Sequence, residues 1–374
     1  MTSELKSASL LPHNHYARKN IGFLYAVKHG AKVIFDLDDD NRLLPDVDLS
    51  ATAAPLFGPH ADGGSPMGPV LVAASHSGHI CADRSAKAGG GWNGGHDCSA
   101  LINPYVHFGQ RSIWPRGMPL ECVSDVSSEI VYVGAAESMG GPLGECGGNA
   151  GQPAVLQSVV DGDPDVDAIF RLTRRASGRR IDVPFDRTAP PLVLPQGRLS
   201  PWNSQATMHA YDGFFALALP VSVPFRVTDI WRSYFAQRML WEVGRTVGFL
   251  PPLVRSVRNA HDNMADFRDE QMLYDKSLAL VGFLLKWEAP VDAKDVGEAA
   301  VALANAMKEA EFWGTGDVGS IEAFIADLRT IGYSFPAMVT RESASHASKA
   351  QEHTKSVVHA PKLAVSLTRP HLAP

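Results

Sequence analysis

The sequence predicts an α/β fold, and three observations support it. Residues 17–29 place apolar side chains on one side and stop at Gly30, a pattern typical of a helix. The β-branched and aromatic run 33–35 follows and predicts a short buried strand that ends at Asp36. The chain has 374 residues, of which 45% are hydrophobic and 20% charged. These values are typical of a globular protein with a sizeable core.

Charge and hydropathy exclude several classes of protein. Lysine and arginine number 34 against 40 acidic residues, so the net charge is −6 and no basic field is available to bind nucleic acid or anionic lipid. Residues 1–16 contain no continuous apolar run of the kind found in signal peptides. The longest apolar stretch, 214–221, is too short to cross a bilayer and predicts a buried strand or core segment.

Four cysteines leave the redox compartment of the protein open. They are too few for a disulfide scaffold and are compatible with free thiols or with two bridges. With nearby histidines, two of them raise the question of a zinc site, but their spacing is not a standard structural zinc pattern, and we expect loop residues instead. The cysteines are Cys81, Cys98, Cys122 and Cys146, and the histidines are His76, His79 and His96.

In the remaining chain, predicted loops alternate with segments that are predicted to form helices or strands. Residues 49–100 are rich in Gly, Pro, Ser and His and predict a long loop or insertion, and 140–151 is a second Gly-rich stretch. A helix is expected to begin with Thr228 or Asp229 as its N-cap. From Val339 onward, periodicity is lost and a disordered tail is expected. Other structured segments are expected at 167–172 and 191–195, with helices at 270–287, 293–312 and 321–331.

The acidic run 36–40 is the strongest functional signal. Asp36, Asp38 and Asp39 directly follow the predicted apolar strand, and ligands of α/β proteins sit at the carboxyl ends of strands. Carboxylates two residues apart can share one hard cation, since Mg²⁺ and Mn²⁺ prefer oxygen ligands and keep positions open for phosphate. Like charges this close repel each other unless a cation neutralises them. The alternative is an acidic turn that only caps the strand and keeps it soluble.

Two classes of enzyme share this acidic pattern. One is the haloacid dehalogenase-like phosphohydrolase, in which Asp36 would be the nucleophile and residues 162–167 would imitate the late metal motif. That match fails at Asp40, where Thr or Val is expected, and no convincing lysine motif lies between. The other class uses the aspartates to hold a metal on the diphosphate of a nucleotide sugar, where the metal stabilises the leaving group.

Several longer segments favour the second class. In order, these segments resemble the STELLO glycosyltransferases of plants and their eukaryotic relatives, over roughly residues 16 to 335. A weaker likeness, through the acidic run and residues 229–231, connects the chain with the reversibly glycosylated polypeptides, which are UDP-arabinose mutases. The segments are 17–39, 103–121, 162–170, 194–197, 219–223, 229–234 and 237–238.

The resemblance implies a GT-A-like fold, with a mixed sheet flanked by helices in residues 1–290, a helical extension at 291–338 and the tail at 339–374. It implies a UDP-sugar donor, Mn²⁺ or Mg²⁺ at the acidic run, a glycan or protein acceptor, and a Golgi location. It also implies partnership with polysaccharide synthase complexes. Because the likeness begins near the first residue, the membrane anchor and the opening nucleotide-binding unit of family members are expected to be truncated here.

Within the resemblance, Asp229 is the candidate general base, because GT-A folds place an acid at a helix start beside the acceptor. As a bare N-cap it would need no further role. Arg111 and Arg116 could bind the donor phosphates in a bidentate manner, or form structural salt bridges. His261 could supply a late metal ligand, although a single His is more often structural.

Arg18 and Lys19, one helix before the acids, could also approach the diphosphate, or could be exposed charges of the first helical turn. A rival from a different class is a non-catalytic partner that keeps the fold and organises other membrane enzymes. The phosphohydrolase remains the second alternative.

Overall fold

The computed structural model describes residues 5–50, 52, 70–75, 98–126, 131–136, 152–174, 181–257 and 262–339. Residues Met1–Met338 form one compact unit by internal contacts. Within the ranges just given, no helix is both long and apolar enough to cross a membrane. The Gly-rich segment 140–151, His261 and the predicted tail from residue 340 lie outside the described residues.

The described chain forms one mixed sheet of eight strands. Seven strands follow the order β1-β7-β5-β8-β6-β3-β4, and β2 pairs with β8. Strands β5 and β8 run parallel, as do β3 and β6, whereas the other pairs are antiparallel. The strands are β1 (Val33–Leu37), β2 (Asn41–Leu43), β3 (Val70–Ser75), β4 (Val131–Ala136), β5 (Pro153–Gly162), β6 (Leu192–Val193), β7 (Ala206–Ala210) and β8 (Thr246–Ser256).

Strands β5 and β8 form the centre of the sheet, and the sequence analysis did not predict either of them. Every residue of β5 is buried. Val155 and Val159 face the larger apolar cluster, whereas Leu156 and Val160 face a smaller one on the opposite side. Both faces of the strand are therefore covered, which explains why apolar residues stand at adjacent positions of its sequence and do not alternate with polar ones.

Nine helices lie in the described ranges. Helix α1 ends at Lys28, and Gly30 follows the C-cap His29 with a φ of +83°, which confirms its predicted role as the helix stop. The helices are α1 (Lys19–Lys28), α2 (Pro104–His107), α3 (Val123–Val126), α4 (Ala168–Arg174), α5 (Thr228–Glu242), α6 (Asn263–Asp269), α7 (Gln271–Lys286), α8 (Val296–Glu309) and α9 (Thr315–Thr330). Short 3₁₀ turns occupy Ser7–Ser9, Tyr16–Arg18, Leu120–Cys122 and Tyr211–Ala216.

Helix α5 is the central helix of the fold. All its residues from Thr228 to Leu240 are buried, because it contacts β8 as well as α7 and α8. Helices α8 and α9, predicted as an extension, pack against each other, and α9 also contacts α1. Near the chain's start, Ser7 donates its backbone N–H to Asp327 of α9 at 2.8 Å. The α/β class, with a mixed sheet flanked by helices, is confirmed.

Several local predictions need correction. Residues 70–75 of the predicted loop form β3 instead. Strand β1 is at the sheet edge and half-buried, because it pairs only with β7. Of the two alternatives for the apolar segment 214–221, the strand is wrong and the buried core segment is confirmed, because a 3₁₀ turn continues there into irregular buried chain. The predicted helix 270–287 is preceded by α6, and the helices at 293–312 and 321–331 were misplaced by a few residues at one or both ends.

Two of the cysteines are bonded to each other. Cys98 and Cys122 form a disulfide across 24 positions of sequence, which selects the bridged alternative for this pair. Cys98 is therefore not a thiolate ligand of zinc, as the spacing already indicated. The bond ties the 3₁₀ turn Leu120–Cys122 to the segment that precedes α2.

Candidate functional site

Strand β1 carries the acidic residues to the helix-covered side of the sheet. Its alternation places Phe35 and Leu37 in the smaller apolar cluster and points Asp36 to the other side. Asp38, two residues on, lies on the same side as Asp36, and one ammonium joins them. Lys19 Nζ donates to Asp36 Oδ1 at 2.8 Å and to Asp38 Oδ1 at 3.1 Å. Asp36 and Asp38 form the acidic pair, and Lys19 is its lysine.

An arginine of α5 approaches the acidic pair from within the core. Arg232 is fully buried, and its Nη2 lies 3.7 Å from Asp36 Oδ2. The guanidinium donates to Ser204 Oγ at 2.6 Å and stacks on Trp202, 4.6 Å from its ring centre. Asp36 Oδ2 is buried and accepts no hydrogen bond from any residue that the structure describes. The acidic pair thus retains an acceptor atom that could bind a further cation or donor.

The charges of the site shift each other's proton affinities. Burial, and then repulsion from Asp229 and Asp36, raises the pKa of Asp38 to about 6, although Lys19 counteracts this. Burial disfavours the charged ammonium of Lys19, but attraction by Asp36 and Asp38 outweighs it and raises the lysine pKa. Lys19 and both aspartates therefore depend on one another electrostatically.

A second buried cluster lies at the start of α5. The guanidinium of Arg116 binds Asp165, with Nε 2.9 Å from Oδ1, and Asp229, with Nη2 3.2 Å from both oxygens. Asp229 also accepts from the backbone N–H groups of Ser204 at 3.2 Å and Ile230 at 3.0 Å. Because Ser204 also contacts Arg232, the two clusters are joined through one residue. Arg116, Asp165 and Asp229 are each no more than 7% exposed.

The structure brings some of the predicted site residues together and leaves Asp39 apart from them. It brings Lys19, Asp36, Asp38 and Asp229 into one region, since the charge of Asp229 raises the pKa of Asp38. Asp39 is exposed and lies beyond the end of β1, in a turn. The functional roles of these residues remain predictions.

The predicted arginines differ in their surroundings. Arg116 is buried between two carboxylates, which is the salt-bridge alternative of the sequence analysis. Arg111 is exposed. Arg18 is also exposed and lines a shallow groove with residues of the N-terminal segment such as Leu10. The predicted N-cap of α5, Thr228 or Asp229, is wrong by one or two residues, because Val227 takes that position and Thr228 begins the helix.

A divalent cation fits the donor chemistry of the acidic pair but not its present geometry. Carboxylate oxygens are what Mg²⁺ and Mn²⁺ prefer, and two protein ligands suffice when phosphate and water complete the shell. The ammonium of Lys19, however, already bridges Asp36 and Asp38. Throughout the described ranges, no three acidic, histidine or cysteine side chains are grouped so as to hold a metal.

The late metal motif of the phosphohydrolase alternative, residues 162–167, has carboxylates that bind other partners within the fold. Asp163 pairs with Arg171 at 2.7 Å, and Asp165 is bound to Arg116. Asp167 caps the first turn of α4 by accepting from the Phe170 N–H at 2.7 Å. These three carboxylates support local structure at the end of β5, and none of them forms a described contact with Asp36.

Sequence reasoning missed several residues of the site. Tyr16 donates to Asp38 at 3.4 Å, and Asn203 Nδ2 donates to Asp165 at 2.8 Å. Arg226 binds Glu270 at 2.7 Å, and Glu270 in turn accepts from Tyr274 at 2.6 Å. Arg226 and Glu270 lie in the turns before α5 and α7, so no helical pattern in the local sequence marked them.

Asp167 is expected to make stability depend on pH. Burial raises the pKa of its carboxyl to about 6, above the value of about 3.9 in an unfolded chain. The folded protein therefore keeps this proton longer than the unfolded chain, and stability falls as pH rises from 4 to 6. We expect Asp167→Asn to remove about 2 kcal/mol of that fall.

The measurement is urea unfolding of wild type and Asp167→Asn at several pH values. Asp46→Asn, a substitution of an exposed aspartate, is the control and should leave the pH profile unchanged. If the profiles of wild type and Asp167→Asn run parallel between pH 4 and 6, the raised pKa is refuted.

Comparison with known proteins gives the same family as the sequence motifs. Residues 226–370 match the model of the family described as STELLO glycosyltransferases. Two proteins of Arabidopsis thaliana, "Probable glycosyltransferase STELLO2" and "Probable glycosyltransferase STELLO1", are 33% identical to this chain over 336 and 337 residues. Each alignment covers 89% of this chain and 38% of the relative, so the chain spans well under half the length of these relatives. The resemblance stated from the sequence is confirmed.

Proposed function

Since this chain is a relative of the STELLO glycosyltransferases over most of its length, we propose that it transfers a sugar from a nucleotide-sugar donor to a hydroxyl acceptor. The observation that carries the proposal is the convergence of Asp36, Asp38, Lys19 and Arg232 beside the first turn of α5. Two carboxylates and two cations at one place suit a diphosphate and its counter-ion. We propose UDP as the nucleotide and Mn²⁺ or Mg²⁺ as the ion.

The proposed reaction breaks the bond between the anomeric carbon of the sugar and the diphosphate oxygen, and the electron pair leaves with the nucleoside diphosphate. The acceptor oxygen forms the new bond to that carbon and gives up its proton. A divalent cation supplies charge neutralisation to the leaving diphosphate when it is bound. Lys19, which is 28% exposed at its side chain, can turn toward the diphosphate and add a positive charge there.

Asp229 stays our candidate for the residue that accepts the acceptor's proton. Both its oxygens already accept hydrogen bonds, from Arg116 and from the backbone N–H of Ser204 or Ile230. A base must have a free lone pair directed at the proton that it removes. Acting as a base would therefore require one of these bonds to open when the acceptor binds.

The proposed location is the Golgi, with a glycan or protein as the acceptor. The disulfide Cys98–Cys122 supports an oxidising compartment, because such bonds persist there and are rare where thiols are kept reduced. The family resemblance supports the Golgi as that compartment. Nucleic acid is not a proposed partner, since the net charge of the chain is −6.

A non-catalytic role in the assembly of polysaccharide synthase complexes is the second candidate. The observation that favours it is the neutralisation of the acidic pair by Lys19 and Arg232, both contributed by this chain. A site that has exchanged its metal for internal cations could keep the fold without binding a donor. Binding of the nucleotide separates the two candidates.

The test is calorimetric titration of UDP into the purified chain, with and without Mn²⁺. We expect metal-dependent binding that is weakened at least about tenfold in Asp36→Asn/Asp38→Asn, because the cation loses its charged ligands. The matched control is Asp46→Asn/Asp48→Asn, which removes the same two charges from exposed positions and should bind like wild type.

Absence of UDP binding to wild type would reject the transferase and favour the assembly partner. Equal UDP binding by wild type and the Asp36/Asp38 variant would show that the donor site does not include these aspartates. Release of inorganic phosphate from small phosphoesters, abolished in Asp36→Asn, would instead support the phosphohydrolase.

A further inference from the structure

Lys19 places its ammonium between the two carboxylates of the acidic pair. Its Nζ is 2.8 Å from Asp36 Oδ1, 3.1 Å from Asp38 Oδ1 and 3.3 Å from the Tyr16 hydroxyl. The ammonium also lies 4.9 Å from the centre of the Tyr16 ring, which adds a cation–π contact. The pair therefore has a cation already, provided by the first residue of α1.

The acidic pair is nevertheless not saturated. Asp36 is 5% exposed, and its Oδ2 accepts no hydrogen bond from the described part of the chain. Buried carboxylate oxygens normally accept hydrogen bonds, so one that accepts none and has only a long ion pair leaves a place for a further donor or ion. Arg232 Nη2, at 3.7 Å from this oxygen, is too far for a hydrogen bond.

We propose that Lys19 is a tethered counter-ion that competes with divalent cations for Asp36 and Asp38. An ammonium has three donors and no lone pair, so it cannot share the pair with a metal as a ligand. It would also repel the incoming cation. A metal therefore binds only when the ammonium leaves, and the tether keeps the ammonium at a high local concentration.

A lysine suits this exchange better than an arginine would. Its charge is carried by a flexible four-carbon stem, and its side chain is 28% exposed, so the ammonium can leave the pair without moving α1. The anionic diphosphate offers the released ammonium a new partner. This second step rests on the proposed function, whereas competition with the metal does not.

Exchange of Lys19 makes metal and diphosphate binding mutually dependent. A diphosphate that draws the ammonium away from Asp36 and Asp38 increases the affinity of the pair for the metal. By linkage, the metal increases the affinity for the diphosphate by the same factor. Without the lysine charge at this position, most of that coupling should disappear.

The experiment is titration of Mn²⁺ alone, followed by electron paramagnetic resonance of the free ion, into wild type, Lys19→Met and Lys19→Arg. We expect Lys19→Met to bind Mn²⁺ at least about tenfold more tightly than wild type, within the usual range of coupling between sites. Lys19→Arg keeps the charge and should bind weakly. Lys32→Met is the matched control, because Lys32 is an exposed lysine that lies over the Tyr211 ring, and it should bind like wild type.

A second measurement covers the case in which Lys19→Met folds poorly. Removing the ammonium leaves Asp38 without its cation and Asp36 with only Arg232, so the apo variant should melt below wild type. Mn²⁺ should then raise its melting temperature more than that of wild type. Lys19→Gln, which keeps a side-chain donor without the charge, should behave in the same way.

Equal Mn²⁺ affinity in wild type and Lys19→Met, weaker affinity in the variant, or no Mn²⁺ binding by either protein would each overturn the proposal. If Lys19→Met binds Mn²⁺ tenfold more tightly than wild type but wild type binds no UDP, competition between Lys19 and the metal is supported and the transferase proposal is rejected. The two proposals therefore fail on different observations.

Discussion

Arg116→Met is expected to lower the free energy of unfolding by about 3–5 kcal/mol, because it removes one partner of buried ion pairs. Arg116 is 5% exposed and is bound to both Asp165 and Asp229. Methionine fills a similar volume but leaves two buried carboxylates with fewer donors. Asp165 keeps the amide of Asn203, and Asp229 keeps two backbone N–H groups, so neither is left entirely without donors.

Urea unfolding, followed by tryptophan fluorescence, measures this effect. The control is Arg255→Met, since Arg255 pairs with Asp182 at 2.7 Å on the surface, with side chains 45% and 65% exposed. An exposed pair contributes at most about 1 kcal/mol. Arg116→Met combined with Asp165→Asn should recover part of the loss, because one unpaired charge is then removed.

The same variant separates the two roles predicted for Arg116. A structural salt bridge requires a loss of stability, whether or not UDP binding weakens as well. If Arg116→Met unfolds at the wild-type urea concentration and loses only UDP affinity, the phosphate-binding role is correct and the structural one is wrong.

Gly162→Ala is expected to destabilise the fold by about 2–5 kcal/mol, the sum of a left-handed backbone cost and overpacking. Gly162 ends β5 with a φ of +88°. An added Cβ would lie 2.6 Å from the backbone oxygen of Ser256 on the neighbouring strand β8. That oxygen belongs to the central strand pair, so it cannot move without disturbing the parallel ladder.

Thermal and urea unfolding of Gly162→Ala measure the loss, and Gly30→Ala is the control. Gly30 has nearly the same backbone conformation, with φ at +83°, but nothing lies within 4 Å of an added Cβ. Its substitution therefore costs only the left-handed conformation, about 1–2 kcal/mol. Equal losses at both positions would show that the contact with Ser256 does not contribute.

The outcome at β1 and at the central strands shows where sequence reasoning succeeds. Helix α1, its stop at Gly30 and the strand that follows were predicted, because periodicity and a left-handed glycine are visible within a few residues. Strands β5 and β8 were not predicted. Their positions in the centre of the sheet depend on pairing with each other across about ninety residues, and their burial on both faces removes the alternation that reveals a strand.

The candidate site also has a part that local sequence predicts and a part that it does not. The sequence by itself determined that Asp36 and Asp38 share one side of a strand, because side chains alternate with a period of two. It also indicated that a helix begins near Asp229, since the aromatic pattern of that helix is local, although its N-cap was placed too late. The likeness to the STELLO glycosyltransferases was also visible in short segments of the chain.

Only the tertiary structure decided which charges meet. Lys19 reaches the acidic pair because the fold brings the start of α1 to the end of β1, and Arg116 meets Asp229 across 113 positions of sequence. Neither contact leaves a pattern in the local sequence, since each depends on how separate elements pack. The physical reason is that a buried charge must find its partner wherever the fold places one, and the choice among 34 basic residues is made by packing and desolvation.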